Sequence, residues 1–257
     1  MKVINCRNVN DGFVKAMDLI GRYSEHVQPS RAGDVIEVPE PVATVYSNPQ
    51  EKVLFEDARN ANPFFHLIES LWMLQGANDL EYIQYYNQRM ADFSDDGVTL
   101  QGSYGFRWRE HFLGDQLSTI IERLRKDSTD RRCVLQMWDP LVDLNADSKD
   151  VPCNTAIYFK VRDGKLDMTV SNRSNDVIWG AYGANVVHMS ILQEYMAYGI
   201  GVGLGVYTQV SDSFHAYTNI FTDMYNQMAS EDAFDFFNQF NQANPYENKA
   251  INPYPLI

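Results

Sequence analysis

One cysteine of the chain stands where nucleophilic chemistry is expected. Cys153 directly follows Pro152, and two alternating apolar segments after it flank Asp163 and Gly164, a pair typical of a β-hairpin turn. A polar run, residues 172–176, follows the second segment. Because the open ends of a hairpin lie side by side, we expect Cys153 to contact this run just beyond the strand ends. An arginine there would favour the thiolate, which is the nucleophilic form of cysteine.

A carboxylate within an apolar helix is a second candidate. Residues 62–76 have the composition of a buried helix, and Glu69 lies in their middle. Burial would suit this carboxyl group to general acid or base catalysis, because desolvation favours its protonated form. Alternatively, Glu69 lies on a narrow solvated stripe together with His66 and Met73. The periodicity alone leaves both interpretations open.

Three arginines could bind an anion. Arg31 lies in a predicted turn beside Gly33, and Arg131 and Arg132 directly precede a strand-like segment at residues 133–138. Two neighbouring guanidinium groups can share one phosphate. Arginines in such places are more commonly solvated surface charges. The pattern alone therefore does not decide between a phosphate site and ordinary surface charge.

The remaining pattern predicts long helices around strands that are distant in sequence. Helices are predicted over residues 13–23, 62–76, 117–124, 185–198 and 220–228, and strands over residues 35–38, 133–138, 157–161, 166–170 and 206–210. Residues 102–109, with their glycine, aromatic and basic residues, are predicted to form a loop that lines a pocket. We expect residues 1–257 to form a single domain, because no repeat or linker interrupts them.

Composition narrows the class of protein. The net charge of -13 and the pI of about 4.7 argue against binding nucleic acid through a basic surface. The three cysteines are widely spaced and match neither a disulfide framework nor a metal site. The N-terminal residues lack the apolar run of a signal peptide, and no segment has the length and apolarity of a transmembrane helix. We therefore expect a soluble cytoplasmic protein without a metal.

In their order and spacing, these motifs resemble the thymidylate synthase family, which includes the phage deoxypyrimidylate hydroxymethylases. The resemblance covers nearly the whole chain from Arg31 onward. It rests on Pro152-Cys153, Arg173-Ser174-x-Asp176, the Glu69 helix with Leu-Trp-Met-Leu-Gln-Gly, Tyr104-Gly-x-x-Trp108-Arg109, Asp130-Arg131-Arg132 and His215-x-Tyr217. The implied fold is α+β, a large mixed β-sheet flanked by helices. The implied assembly is a homodimer formed through the sheet face.

The resemblance also implies a reaction, the transfer of a one-carbon unit from 5,10-methylenetetrahydrofolate to carbon 5 of a deoxypyrimidine monophosphate. Cys153 would add to carbon 6 of the base, and the other catalytic residues would be Glu69, Arg173, Asp176 and Tyr104. The phosphate would bind Arg31, Arg131, Arg132, Arg173 and Ser174, with the arginine doublet shared across the dimer interface. The base and sugar would bind Asn185, Asn175, His215 and Tyr217, and the folate would bind Asp176 and Trp72.

Departures from the synthase pattern favour a hydroxymethyl product over a methyl product. Asn154 and Asn175 stand where family synthases usually carry histidine and cysteine, and residues 252–257 end the chain without the apolar tail that folds over the folate in synthases. A site open to water would favour addition of water over transfer of hydride. Reductive methylation by a thymidylate synthase is the alternative, and a nucleotide-binding homologue without activity is a second one.

The choice of base depends on the side chain that faces the pyrimidine edge. An amide matches the N–H donor and carbonyl acceptor of uracil, whereas a carboxyl group suits cytosine better. Asn185 is the nearest candidate, but the ungapped position is Ala184. If Asn185 occupies the site, dUMP is the favoured substrate. Otherwise Asn175 or another group reads the base, and dCMP stays open.

Overall fold

A computed structural model describes residues 1–145 and 147–228, and within them eight strands form one mixed sheet. The strands are β1 (Lys2–Cys6), β2 (Val27–Ser30), β3 (Gly33–Val38), β4 (Val42–Tyr46), β5 (Val134–Gln136), β6 (Asn154–Arg162), β7 (Lys165–Asp176) and β8 (Gly203–Tyr217). The main order is β1-β4-β8-β7-β6-β5, while β3 also pairs with β8 and β2 pairs with β3. The pairs β1 with β4 and β7 with β8 are parallel, and the others are antiparallel.

Helices pack against this sheet, so the predicted α+β class is confirmed. They are α1 (Val9–Gly21), α2 (Pro63–Leu74), α3 (Leu80–Tyr86), α4 (Tyr104–Phe106), α5 (Gln116–Lys126), α6 (Pro140–Asp143), α7 (Asn185–Ile200) and α8 (Thr218–Met228). Short 3-10 turns form at Asp57–Arg59 and Gln88–Phe93, and π-helical turns at Arg107–His111 and Val177–Ala184. The predicted helices all form, as α1, α2, α5, α7 and α8. Local signals set their ends: Asn62 caps α2 by accepting the N–H of Phe65.

The two faces of the sheet differ in burial because the helices cover one of them. A row of register partners on the helix side is buried: Ile4, Thr44, Gln209, Val170, Ile157 and Leu135. The neighbouring row faces the other way and is half-buried or exposed: Asn5, Val45, Thr208, Thr169, Tyr158 and Val134. Side chains alternate between faces along each strand, and within residues 1–145 and 147–228 the helices leave this second face uncovered.

The long strands β7 and β8 extend further than the sequence predicts. Residues 172–176 were expected to follow a strand ending at residue 170, but they belong to β7, which ends at Asp176. Likewise β8 continues through residues 211–217 instead of ending at residue 210. These polar residues have the composition of a loop. They remain in strands because β7 and β8 pair with each other in parallel throughout this stretch, which satisfies their backbone groups.

The hairpin between β6 and β7 forms where it was predicted. Arg162 pairs with Lys165, and the two residues between them have positive φ angles, 49° for Asp163 and 71° for Gly164. Positive φ at both central residues defines the turn type that asparagine, aspartate and glycine favour. The predicted hairpin is therefore confirmed, and it places Cys153 directly before β6.

Residues 102–109 were predicted to form a loop, and this prediction is wrong. They contain α4 and the start of the π-helical turn at Arg107–His111. Gly105 makes this possible, because a Cβ at this residue would lie 2.0 Å from the carbonyl oxygen of Met73 in α2. The close approach of two backbones is a tertiary contact that the local sequence does not reveal.

In the part of the chain that the structure describes, no helix is both long enough and apolar enough to cross a bilayer. The C-terminal residues 252–257, on which the expectation of a missing apolar tail rests, lie outside the described residues. That residues 1–257 form one domain stays a prediction.

Candidate active site

Cys153 and Arg173 lie together at the open end of the β6–β7 hairpin. The Arg173 N–H donates to the Cys153 carbonyl at 3.0 Å. Its guanidinium donates from Nε to the Pro152 carbonyl at 2.9 Å and from Nη2 to the Val151 carbonyl at 3.1 Å, and it lies 5.5 Å from the centre of the Trp138 ring. The arginine therefore holds the segment that carries the half-buried thiol.

The ionisation of Cys153 depends on opposing influences. Burial raises the pKa of the Cys153 thiol above its usual 9, and the charge of Arg173 opposes this most strongly, with a smaller contribution from Arg31. The carboxylates of Asp150 and Asp176 raise the pKa further. Arg173 is thus the main group that favours the nucleophilic thiolate.

Replacing Arg173 with glutamine is therefore expected to make the thiol less acidic. Loss of the positive charge raises the thiol pKa, so the pH at which alkylation of Cys153 is half-maximal rises by about one unit. The rate of iodoacetamide labelling at Cys153, followed by mass spectrometry across pH, measures this. Arg162→Gln is the matched control, because Arg162 lies at the far end of the same hairpin with a 65% exposed side chain. An unchanged labelling profile in Arg173→Gln would contradict the assignment.

Tyr104 and Asp150 lie near the thiol. Burial raises the pKa of the Tyr104 phenol well above 10, the charges of Cys153 and Asp150 add to this, and the backbone amides of Asn154 and Cys153 oppose it. Asp150 accepts the N–H of Gly102 at 2.8 Å, and burial raises the pKa of its carboxyl group. The sequence analysis missed Asp150, because residues 141–150 have the acidic composition of an ordinary loop.

Glu69 is buried, so the interpretation that it lies on a solvated stripe is wrong. Its side chain is 11% exposed, and its Oε2 lies 2.9 Å from Nε2 of the buried His188 in α7. His66 packs edge-on against His188, with 6.1 Å between ring centres, and burial lowers the pKa of His66 to about 4. The exposed residues of α2 are instead apolar, Phe64, Leu67 and Leu71. No role was predicted for His66 or His188 from the sequence.

The paired ends of β7 and β8 carry further predicted site residues. In their register Ser174 is the partner of Ser213 and Asp176 that of His215, and the His215 and Tyr217 rings lie edge-on at 5.9 Å. Burial raises the pKa of Tyr217, and the charges of Asp176, Cys153 and Arg31 also act on it. Arg31, whose Nη1 donates to the Ser148 carbonyl at 3.1 Å, therefore reaches the same site. The predicted Asp176 and Tyr217 therefore lie near the thiol, His215 lies beside both of them, and Ser174 directly follows Arg173 in β7.

Asp176 also begins the π-helical turn at Val177–Ala184. Its Oδ2 accepts the Trp179 N–H at 2.6 Å, and burial raises the pKa of its carboxyl group. Its Oδ1 is buried without a hydrogen-bond partner among the described residues. The ring of Trp179 is 44% exposed, and the Arg59 guanidinium lies 4.1 Å from its centre. Neither Arg59 nor Trp179 was recognised from the sequence.

The three predicted asparagines, Asn154, Asn175 and Asn185, are all buried. Asn154 is fully buried and donates to Asn172, while Asn175, 2% exposed, bonds to Gln209, Ser211 and Asn185. Asn175 exposes little surface of its own, and its part in reading the base stays a prediction. Asn185, at the start of α7, is 9% exposed and donates from Nδ2 to Asn175 Oδ1 at 3.1 Å.

Three predicted residues are not brought to the thiol within this chain. Arg131 is exposed, and Arg132, with 79% of its side chain exposed, pairs with Asp130. Trp72 is 3% exposed and its indole N–H donates to Asp79 at 3.2 Å. Trp72 packs in the hydrophobic core, and its predicted contact with the folate stays a prediction.

Comparison with known proteins identifies the family of the chain. The family model for thymidylate synthase matches residues 59–244, and the chain belongs to the thymidylate synthase family. A deoxyuridylate hydroxymethyltransferase of Pseudomonas phage M6 is 49% identical over 260 residues, which are 100% of this chain and 73% of that protein. Another, of Bacillus phage SP01, is 41% identical over 203 residues, 75% of this chain and 52% of that protein. A putative thymidylate synthase of Methanosarcina acetivorans is 31% identical over 217 residues, 84% of this chain and 89% of that protein.

These similarities confirm two predictions made from the motifs. The chain is a member of a transferase family that uses 5,10-methylenetetrahydrofolate as one-carbon donor, and it is similar to phage hydroxymethylases. The chain spans about half the length of the relative from Bacillus phage SP01.

Proposed function

We propose that this chain transfers a one-carbon unit from 5,10-methylenetetrahydrofolate to carbon 5 of dUMP and releases 5-hydroxymethyl-dUMP. The similarity to phage deoxyuridylate hydroxymethyltransferases supports both the substrate and the product. The observation that carries the proposal is the half-buried thiol of Cys153 beside the guanidinium of Arg173. The cytoplasmic location predicted from the sequence, in the host cell if a phage encodes the chain, stays a prediction.

The residues around the thiol have distinct tasks in this reaction. Cys153 forms the covalent bond to carbon 6, which makes carbon 5 nucleophilic. Arg173 favours the thiolate, and the Tyr104 hydroxyl and the Glu69 carboxylate exchange protons with the base through water. His215 and Tyr217 hold the sugar. The oxygen of the product's hydroxymethyl group comes from water.

The segment that begins at Asp176 fits the folate. 5,10-Methylenetetrahydrofolate supplies the one-carbon unit when it is bound. The buried Oδ1 of Asp176, which lacks a partner among the described residues, can accept an N–H of a pterin ring. The exposed ring of Trp179 provides an aromatic surface next to it.

The phosphate is bound by Arg31, Arg173 and Ser174 of one subunit, and Arg131 and Arg132 come from the other subunit of a homodimer. Two observations support this proposal. Among the described residues no helix covers the second face of the sheet, and this face exposes 40% of both Val134 and Tyr158, as a dimer interface requires. Arg131 and Arg132 are exposed next to β5, at one edge of that sheet.

Product analysis tests the proposed function. The wild-type protein is incubated with 5,10-methylenetetrahydrofolate and either dUMP or dCMP. The mass of the product nucleotide is measured by mass spectrometry, and the formation of dihydrofolate is followed by absorbance. We expect 5-hydroxymethyl-dUMP without dihydrofolate. A methyl product with dihydrofolate would identify a thymidylate synthase instead, and no product would favour the nucleotide-binding homologue.

Replacing Asn185 with aspartate is expected to reduce the preference for dUMP. A carboxylate lacks the N–H that the carbonyl group of uracil accepts, so the ratio of kcat/KM for dUMP to that for dCMP falls about a hundredfold. Competition between the two nucleotides in one reaction measures the ratio. Asn145→Asp, an exposed change outside the site, is the control. A ratio that stays at the wild-type value in Asn185→Asp would show that another group reads the base.

A further inference from the structure

Three amide side chains form a hydrogen-bonded series that starts at a backbone carbonyl and ends at Asn185. Gln209 in β8 donates from Nε2 to the Ala181 carbonyl at 3.2 Å and to the Tyr46 hydroxyl at 2.8 Å. Asn175 in β7 donates from Nδ2 to Gln209 Oε1 at 3.3 Å. Asn185 in turn donates from Nδ2 to Asn175 Oδ1 at 3.1 Å. Gln209, Asn175 and Asn185 are 1%, 2% and 9% exposed, so bulk water does not replace these bonds.

The carbonyl at the start gives the series one direction. A carbonyl oxygen can only accept, so Gln209 must turn its Nε2 towards Ala181, which leaves Oε1 for Asn175. Asn175 must then turn Nδ2 to Gln209 and Oδ1 to Asn185. A flip of any one amide would place two oxygen atoms against each other in a buried position, which costs a hydrogen bond and leaves an acceptor unsatisfied.

The direction matters because an amide can match either pyrimidine. With Oδ1 towards ring nitrogen 3 and Nδ2 towards the exocyclic group, asparagine pairs with uracil, whose N3 donates and whose O4 accepts. After a flip, the same amide pairs with cytosine, whose N3 accepts and whose N4 donates. An asparagine that is free to flip therefore discriminates poorly between the two bases.

We infer that Gln209 and Asn175 are positioning residues that set the base specificity of the site by fixing the orientation of the Asn185 amide. The inference rests on the proposed function, in which Asn185 faces the base. It also explains what an asparagine at residue 175 does: a side chain without both a donor and an acceptor could not transmit the orientation from β8 to α7.

A neighbour of Asn175 provides a matched control. Asn175 Nδ2 also donates to the Ser211 hydroxyl at 3.1 Å. A hydroxyl group can rotate to donate or to accept, so Ser211 bonds to the series without giving it a direction. Ser211 is 1% exposed, as Gln209 is, and lies on the same strand.

The test compares Gln209→Met and Asn175→Leu, which remove the amides and keep side chains of similar length, with Ser211→Ala. For each we measure kcat/KM for dUMP and for dCMP, the binding of each nucleotide alone by calorimetry, and the thermal unfolding midpoint. The ratio of dUMP to dCMP is expected to fall about tenfold or more in both amide variants, through lower dUMP and higher dCMP values, and to stay within about twofold in Ser211→Ala. Gln209→Met leaves Asn175 and Asn185 in place, so it tests the inference even where Asn175→Leu unfolds.

Two results would overturn the inference: a wild-type ratio in Gln209→Met, or a fall in Ser211→Ala as large as that in Gln209→Met. Calorimetry distinguishes failure of the inference from failure of the proposed function. If the wild-type protein makes no product but binds dUMP in preference to dCMP, and Gln209→Met loses that preference, the function fails and the orienting series is supported. If the wild-type protein binds both nucleotides equally, the inference is overturned.

Discussion

Cys153→Ser is expected to lower product formation at least about a thousandfold and to abolish the covalent complex with 5-fluoro-dUMP and 5,10-methylenetetrahydrofolate. A serine hydroxyl is far less acidic than a thiol, so the neighbouring Arg173 cannot ionise it at neutral pH. The oxygen is smaller than sulfur and leaves the surrounding contacts intact. Binding of dUMP should therefore persist, because Arg173, Arg31 and Ser174 remain, while the bond to carbon 6 is not formed.

Intact-protein mass spectrometry shows the complex directly, and the rate of nucleotide conversion gives the loss of activity. Cys6→Ser is the control, since the buried Cys6 thiol contacts the Val45 carbonyl at 3.3 Å, a bond that a hydroxyl group can also make. Cys6→Ser should keep the complex and the activity. Turnover of Cys153→Ser within tenfold of the wild-type rate would show that the thiol is not the nucleophile.

The sequence predicts those parts of the site that local signals determine. The turn at Asp163 and Gly164 specifies the hairpin, and the hairpin brings Cys153 to Arg173, as the structure confirms. The helices follow from apolar periodicity and caps such as Asn62. The resemblance to the thymidylate synthase family supplies the candidate roles, including those of His215 and Tyr217.

Features that depend on contacts between distant segments could not be predicted in this way. The helical turn at residues 102–109 exists because Gly105 packs on the backbone of α2. The polar ends of β7 and β8 are strands because they pair with each other. The burial of Glu69 depends on α7, and the orientation of Asn185 depends on Gln209, which is 34 residues from Asn175. In each of these cases the local sequence does not show which distant segment the residue contacts.

Asp143→Asn is expected to destabilise the protein by about 3–5 kcal/mol, because it breaks a buried ion pair from one side. The Arg107 and Asp143 side chains are each 1% exposed. Two hydrogen bonds join them, from Nη1 to Oδ2 at 3.0 Å and from Nη2 to Oδ1 at 2.8 Å. An asparagine amide offers one acceptor and turns N–H groups towards a guanidinium that can only donate. The buried cation is then left without its counter-charge.

The pair also positions the site. Arg107 follows Tyr104 by one helical turn and donates to the carbonyl groups of Gln101 and Met137, while Asp143 accepts the N–H of Asp139. The Arg107–Asp143 pair therefore links the segment that carries Tyr104 to the segment that leads towards Cys153. We expect Asp143→Asn to lower kcat even at temperatures where the variant remains folded, because Tyr104 is held less firmly beside the thiol.

Urea unfolding measures the stability effect, which is a large share of the roughly 5–15 kcal/mol that stabilises a typical domain. Asp18→Asn is the control: Asp18 pairs with Arg22 on the surface of α1, where the side chains are 56% and 70% exposed, and its loss should cost under about 1 kcal/mol. The double variant Arg107→Met with Asp143→Leu should lose less than Asp143→Asn, because it removes the unpaired charge together with the pair. If Asp143→Asn and Asp18→Asn shift the urea midpoint equally, the buried pair does not hold this part of the site in place.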